Sequence, residues 1–112
     1  MTKAKHVWYN IFIPMEILLL PFEFEWDKYN TRHVKIKHGI ESSECEEVFF
    51  NMPLTIRDDI SHSRIESRYH ALGKTNTGRV LLIAFTIRNK KIRIITARDA
   101  SKKERRIYYE TT

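Results

Sequence analysis

Residues 19–26 alternate with period two. Phe22, Phe24 and Trp26 fall on one side, Glu23 and Glu25 on the other, as in a half-buried strand. Asp27 is placed to cap a helix over residues 28–38, and Gly39 after His38 takes the left-handed position that ends one. Ser43-x-x-Glu46 has the spacing of a capping box. It opens a second helix through Glu47, Val48, Phe49 and Phe50, stopped at Asn51-Met52-Pro53. Tyr29, His33, Val34, Val48 and Phe49 are the expected buried contacts of these helices. The pattern then turns to strands. Residues 54–57 form a short one; in residues 66–74, Glu66, Arg68, His70 and Leu72 alternate against Ser67, Tyr69 and Ala71. Residues 79–87 are apolar on both faces, as in a strand covered from two sides, and residues 92–97 follow. Thr75-Asn76-Thr77-Gly78 reads as a turn and Asn89-Lys90 as a two-residue hairpin. Ser101-x-x-Glu104, a second capping box, starts a short helix ending near Tyr109. This order predicts an α+β domain, a mostly antiparallel sheet with two N-terminal helices and a short C-terminal one, the helices on one face.

A chain of 112 residues with 42% apolar content supports one core. The domain is expected over residues 21–112, with 1–20 an N-terminal extension and Met15 an alternative start. The apolar stretch 7–22 is interrupted by Pro14, Glu16 and Pro21, too short for a bilayer span, and no small-residue cleavage site follows it. Cys45 is the single cysteine, which rules out an internal disulfide and fits a reducing, cytoplasmic setting. His6, His33, His38, His62 and His70 lack metal-binding spacing, so no metal is expected.

Charge changes this picture by its position. Residues 1–78 carry ten Lys/Arg against eleven Asp/Glu, and residues 79–112 carry ten against three. A one-sided positive field attracts polyanions such as RNA, although a charge run alone is more often a solvated surface.

RNA is cleaved without a metal when a base takes the 2′-hydroxyl proton, an acid protonates the leaving 5′ oxygen, and cations stabilise the phosphorane. Arginine suits the last role, because its planar fork binds phosphate oxygens and stays charged. Arg68, Arg79, Arg88, Arg93 and Arg98 all fall on or beside adjacent strands, and equal facing would gather several on one surface. His62, Glu66, His70, Glu104 and Tyr108 are the candidate acids and bases. His62, in a loop, is taken as the proton-transfer group, a loop residue without a role being its alternative. Glu104 is explained by its capping box. Tyr108 either stacks on a base or packs its helix onto the sheet. With Gly39, Gly73 and Gly78 far apart there is no phosphate-cradling loop, and no nucleophile motif is present.

Phe24-Glu25-Trp26-Asp27, Asn30, His33, Lys37-His38-Gly39-Ile40 and Glu44-x-Glu46-Glu47-Val48-Phe49 together resemble the N-terminal half of the BrnT toxins. The likeness continues through His62-Ser63, Glu66-x-Arg68, Ala71-Leu72-Gly73-Lys74, Gly78-Arg79, Phe85-Thr86-x-Arg88, residues 92–98 and Glu104-Arg105-Arg106-x-Tyr108. It spans roughly residues 22–109. The resemblance implies a RelE-like fold, an endoribonuclease toxin that inhibits translation, and a BrnA-type antitoxin with a ribbon-helix-helix DNA-binding end. Under that expectation His62, Arg68, Arg79, Arg98 and Tyr108 are catalytic, Arg88, Arg93, Lys102 and Arg105 bind RNA, and no cofactor is required. The rival reading is a non-catalytic RNA- or protein-binding module, a decayed toxin that only binds its antitoxin.

Overall fold

The two-sided apolar run becomes the middle strand of a five-stranded sheet. The structure, a computed structural model, describes residues 23–59 and 66–110. Its elements in chain order are β1 (Phe24–Glu25), α1 (Lys28–His38), α2 (Ser42–Val48), β2 (Thr55–Asp58), β3 (Arg68–Lys74), β4 (Val80–Arg88), β5 (Lys91–Asp99) and α3 (Lys102–Glu110). The strand order is β1-β5-β4-β3-β2, antiparallel except for β1, which runs parallel to β5. The sheet is therefore mixed. The expectations for residues 1–20 lie outside the described residues, as do residues 19–22 of the strand expected over 19–26; among its described residues Phe24 and Glu25 pair.

β1 covers only Ile92 and Arg93 of β5. α1 packs against the same strand, and its buried Asn30 donates from Nδ2 to the Ile94 carbonyl at 2.8 Å. A side-chain amide thus satisfies a backbone acceptor on the edge that β1 leaves unpaired. Asp27 caps α1 as expected, accepting the Asn30 N–H at 2.7 Å. Gly39, at φ +65°, ends it.

Alternation divides the core in two. Leu81, Ile83, Phe85, Ala71, Ile94 and Ala97 join Ile40, Cys45, Val48 and Phe49 under α1 and α2. Leu72, Val80 and Leu82 point the other way, onto Ala100 and Tyr108 of the α3 segment. Helices therefore flank both faces, which corrects the expectation of one helical face. The two-sided pattern of β4 already required cover on each side.

Two local expectations also change. The capping box of α2 is Glu41 with Glu44, whose carboxylate accepts the Glu41 N–H at 2.9 Å, two residues earlier than Ser43 with Glu46. Glu46 instead accepts the Trp26 indole N–H at 2.9 Å. Val48 and Phe49 are buried as expected and His33 half-buried, but Tyr29 is 72% exposed. Val34's side chain lies outside the described residues. The Asn89-Lys90 hairpin holds, both residues at positive φ as a type I′ turn requires.

Gly73 fixes how closely α2 approaches the sheet. A Cβ there would sit 2.8 Å from Val48 Cγ1 and 3.3 Å from the Val48 carbonyl. Gly73→Ala is expected to destabilise by about 1–3 kcal/mol through overpacking. Gly73→Ala with Val48→Ala should lose less than the sum of the two single changes, measured by urea denaturation. Additive losses would show that the close approach does not set the packing.

Candidate active site

The cross-strand register gathers charge on the face that α3 only partly covers. His70 on β3 opposes Arg57 on β2 and Ala84 on β4, and Ala84 opposes Thr96 on β5. In the next row, Leu72 opposes Leu82, which opposes Arg98. Side chains opposite one another share a face. The small Ala84 and Thr96 therefore leave a depression between longer neighbours. A cavity of about 200 Å³ lies there, lined by His38, Arg57, His70, Leu82, Ala84, Thr96 and Arg98. Small-molecule sites usually enclose about 300–1,000 Å³. The smaller volume suits a single phosphodiester of a longer strand better than an enclosed ligand.

His70 is held from both ring nitrogens. Arg57 Nε–H donates to Nδ1 at 3.2 Å, and Nε2 lies 3.3 Å from the Asp59 carboxylate. Arginine can only donate, so Nδ1 is the acceptor and the ring proton sits on Nε2, facing Asp59. Burial pushes the His70 pKa below the ordinary histidine value, against the opposing pull of Asp59. The imidazole is therefore neutral near pH 7, with a lone pair beside an arginine.

Arg98 is presented by Glu104 at the start of α3. Its two terminal nitrogens reach the Glu104 carboxylate at 2.8 and 2.9 Å. The same carboxylate accepts the Ser101 N–H at 2.8 Å, while Ser101 Oγ accepts the Glu104 N–H at 3.1 Å, the capping box expected from sequence. Burial alone would raise the Glu104 pKa. The Arg98 fork and the Ser101 hydrogen bonds outweigh it and bring the carboxyl down to about 2.

The other sequence candidates are spread around this centre. Arg68 is on β3 two residues before His70, on the same face, and opposes Thr86, which opposes Arg93. Arg93 pairs with Asp27 at 2.5 Å and Glu25 at 3.6 Å, and Arg88 with Glu66 at 2.9 Å. Arg79 turns to the opposite side. It forks onto Asp99 at 2.6 and 3.0 Å and donates to the carbonyls of His38 and Gly39 at 3.3 and 3.1 Å. That pairing lowers the Asp99 pKa and raises that of Arg79. Tyr108 is 1% exposed and donates its hydroxyl to the Pro53 carbonyl at 3.0 Å, so it packs α3 onto the sheet and presents no ring to a base. Lys102 and Arg105 are exposed on α3, the latter reaching the Ala100 carbonyl at 2.7 Å. His62 lies outside the described residues.

Arg57 and His38 were not singled out in the sequence as chemical groups, and His70 was only one of five acid–base candidates. The available signal was alternation: Arg57 and His70 both fall on the polar side of their strands. Which residues of β2 and β3 face one another depends on a connection that carries no hairpin signature. Among the described residues, no three or more His, Cys, Asp or Glu side chains are grouped to hold a metal ion, and no helix is long and apolar enough to cross a membrane.

A family model described as a ribonuclease toxin, BrnT, of type II toxin–antitoxin systems matches residues 26–104. That span holds every residue lining the cavity. No curated protein matches the chain.

Glu104 ties the site to α3, and its titration reads that tie. Its folded pKa lies below the ordinary glutamate value of 4.5, so the stability it contributes is present above about pH 4.5 and lost as pH falls toward about 2. Glu104→Gln should cost about 1–2 kcal/mol at pH 7. The gap from wild type should close near pH 2, by urea denaturation at both values. An equal gap at both pH values would contradict the ion-pair account.

Proposed function

The chain belongs to the BrnT ribonuclease toxins of type II toxin–antitoxin systems, and from that premise we propose that it is a metal-independent endoribonuclease whose site is the basic cavity on the sheet. The observation that carries this reading is the convergence of Arg57, His70 and Arg98 on one depression of nucleotide-backbone size. On this reading the sheet is a RelE-like nuclease scaffold, cleavage of RNA inhibits translation in the cytoplasm, and a BrnA-type antitoxin neutralises the toxin by covering this face.

The chemistry follows from the donors and acceptors present. A phosphodiester entering the cavity meets the guanidinium forks of Arg57 and Arg98, which bind its non-bridging oxygens and favour the extra negative charge of the phosphorane. As Arg57 turns its donors to phosphate, Nδ1 of His70 is released to accept the proton of the 2′-hydroxyl. Asp59, beside Nε2, steadies the imidazolium that results. Arg68 and Arg93, one cross-strand row away, extend the cationic face along the strand's backbone. The proton-transfer role given to His62 from sequence passes to His70, and Arg79 and Tyr108 act by positioning the α1–α2 connection and α3.

Purified full-length protein is expected to cleave RNA in EDTA, and its expression without an antitoxin to arrest growth. His70→Ala, or Arg57→Ala with Arg98→Ala, should lower cleavage about 100- to 1,000-fold while circular dichroism stays unchanged. Because burial lowers the His70 pKa, the acid side of the kcat/KM profile should fall off below the ordinary value of about 6.5. RNA binding without cleavage or growth arrest would instead identify a non-catalytic module.

A further inference from the structure

Cleavage by 2′-hydroxyl attack moves two protons, and His70 accounts for one. As O2′ bonds to phosphorus and the P–O5′ bond breaks, a second group must protonate the departing 5′ oxygen. The cavity has a second imidazole. His38 reaches it from the C-terminus of α1, which packs against β5. His70 reaches it from β3, and β4 lies between those strands. Neighbouring strands are about 4.8 Å apart, so β3 and β5 stand about two spacings apart; His38 enters from the helix packed on β5, and Ala84 of β4 and Thr96 of β5 line the same cavity.

The placement of His38 is fixed by contacts that α1 alone does not need. Arg79 donates to the carbonyls of His38 and Gly39 at 3.3 and 3.1 Å, and is itself clamped by both oxygens of Asp99. Gly39 at φ +65° turns the chain directly after His38, so the helix ends with this residue at the cavity. The ring packs edge-on against His33, centroids 6.0 Å apart and planes at 75°, and His33 stacks on Tyr29 at 5.7 Å. Backbone and ring are both constrained, as a proton-transfer group must be to meet one oxygen atom.

We propose that His38 is the general acid of the reaction, giving its ring proton to O5′ while His70 takes the proton of the 2′-hydroxyl, and that the products are a 2′,3′-cyclic phosphate and a 5′-hydroxyl end. One proton is taken up and one given, and neither water nor a co-reactant enters the step. The assignment rests on the nuclease reading above. Its division of roles follows from His70, whose neutral ring beside Asp59 suits a base and leaves the acid to the other imidazole. The charged groups around the pair are Arg98 and Asp99 of β5, Arg79 before β4, Arg57 and Asp59 on the far side, and Glu104 of α3.

The test uses the full chain and one RNA oligonucleotide in two forms, with the ordinary 5′ oxygen or with a sulfur in its place at the cleaved bond. A thiolate leaves without being protonated. His38→Ala is expected to cleave the ordinary RNA about 100-fold or more slowly. On the 5′-sulfur RNA it should come within several-fold of wild type. His70→Ala should stay slow on both, and mass spectrometry of the wild-type products should show the cyclic phosphate. Arg79→Ala should lower kcat on the ordinary RNA and be rescued by sulfur in the same way, which a purely structural contact would not give. Undiminished cleavage by His38→Ala, or no recovery on the sulfur substrate by a variant with a native circular dichroism spectrum, overturns this assignment and leaves the nuclease reading standing. Absence of cleavage by wild type on either RNA overturns both.

Discussion

The pairing register of β3 with β4 decides what this molecule can do. With His70 opposite Ala84 and Ala71 opposite Ile83, the ionisable side chains of β3 face outward and its small apolar ones meet α2. A slip of one residue would send Arg68 and His70 into the cluster around Phe49 and Phe85, and Ala71 into water. Several features hold the register. Gly73 admits Val48 where any Cβ would not fit, and Tyr69 packs on Phe85 with ring centroids 5.4 Å apart. The β3–β4 turn is closed by Thr75 N–H to the Arg79 carbonyl at 2.8 Å and Gly78 N–H to the Thr75 carbonyl at 3.0 Å. Packing on the hidden face thus specifies the chemistry of the open one.

On the open face most cations arrive already paired. Arg98 has Glu104, Arg93 has Asp27 and Glu25, and Arg88 has Glu66, while the neutral His70 lies beside Asp59. On the proposed reading an RNA phosphate competes with these carboxylates, so the geometry is set before substrate arrives and affinity is moderated by the same contacts. The excess charge of residues 79–112 serves a different end. Lys90 and Lys91 at the β4–β5 hairpin and Lys102, Lys103, Arg105 and Arg106 on α3 are exposed. Their field acts over about a Debye length, near 8–10 Å at physiological salt, and draws a polyanion toward the face without fixing its register.

Local chemistry in the chain was legible; facing and pairing were less so. The bounds of α1, the Ser101–Glu104 box, the type I′ turn at Asn89-Lys90 and the two-sided character of β4 follow from side-chain type and spacing. The placement of α3 on the second face was also implied by β4, since Val80 and Leu82 needed cover, but element order alone did not say which helix would give it. Tyr29 was assigned to the core because helical spacing groups it with His33. In the fold Tyr29 stays outside and His33 is half-buried, because Asn30, one residue on from Tyr29, turns inward to the β5 edge. Arg57 drew no attention as a chemical group because its importance exists only opposite His70. Arg79 looked like one of five equivalent strand arginines, yet it sits just before β4, where alternation aims it toward Gly39 and Glu44.

α3 links the fold to the proposed site through its two ends. Tyr108 closes one end against Leu72, Val80 and Leu82 and reaches back to Pro53; Glu104 closes the other by capping the first turn and gripping Arg98. A helix of nine residues spans about 13 Å, and Tyr108 on it covers Leu72, Val80 and Leu82 of the open face. The cavity lies beside Leu82 and Arg98, over Ala84 and Thr96, whose side chains are too small to fill it. The basic depression is thus the uncovered remainder of a core-forming surface. Three of its ionisable walls, Arg57, His70 and Arg98, stand on paired strands whose register fixes their spacing, and the fourth, His38, stands at the end of α1.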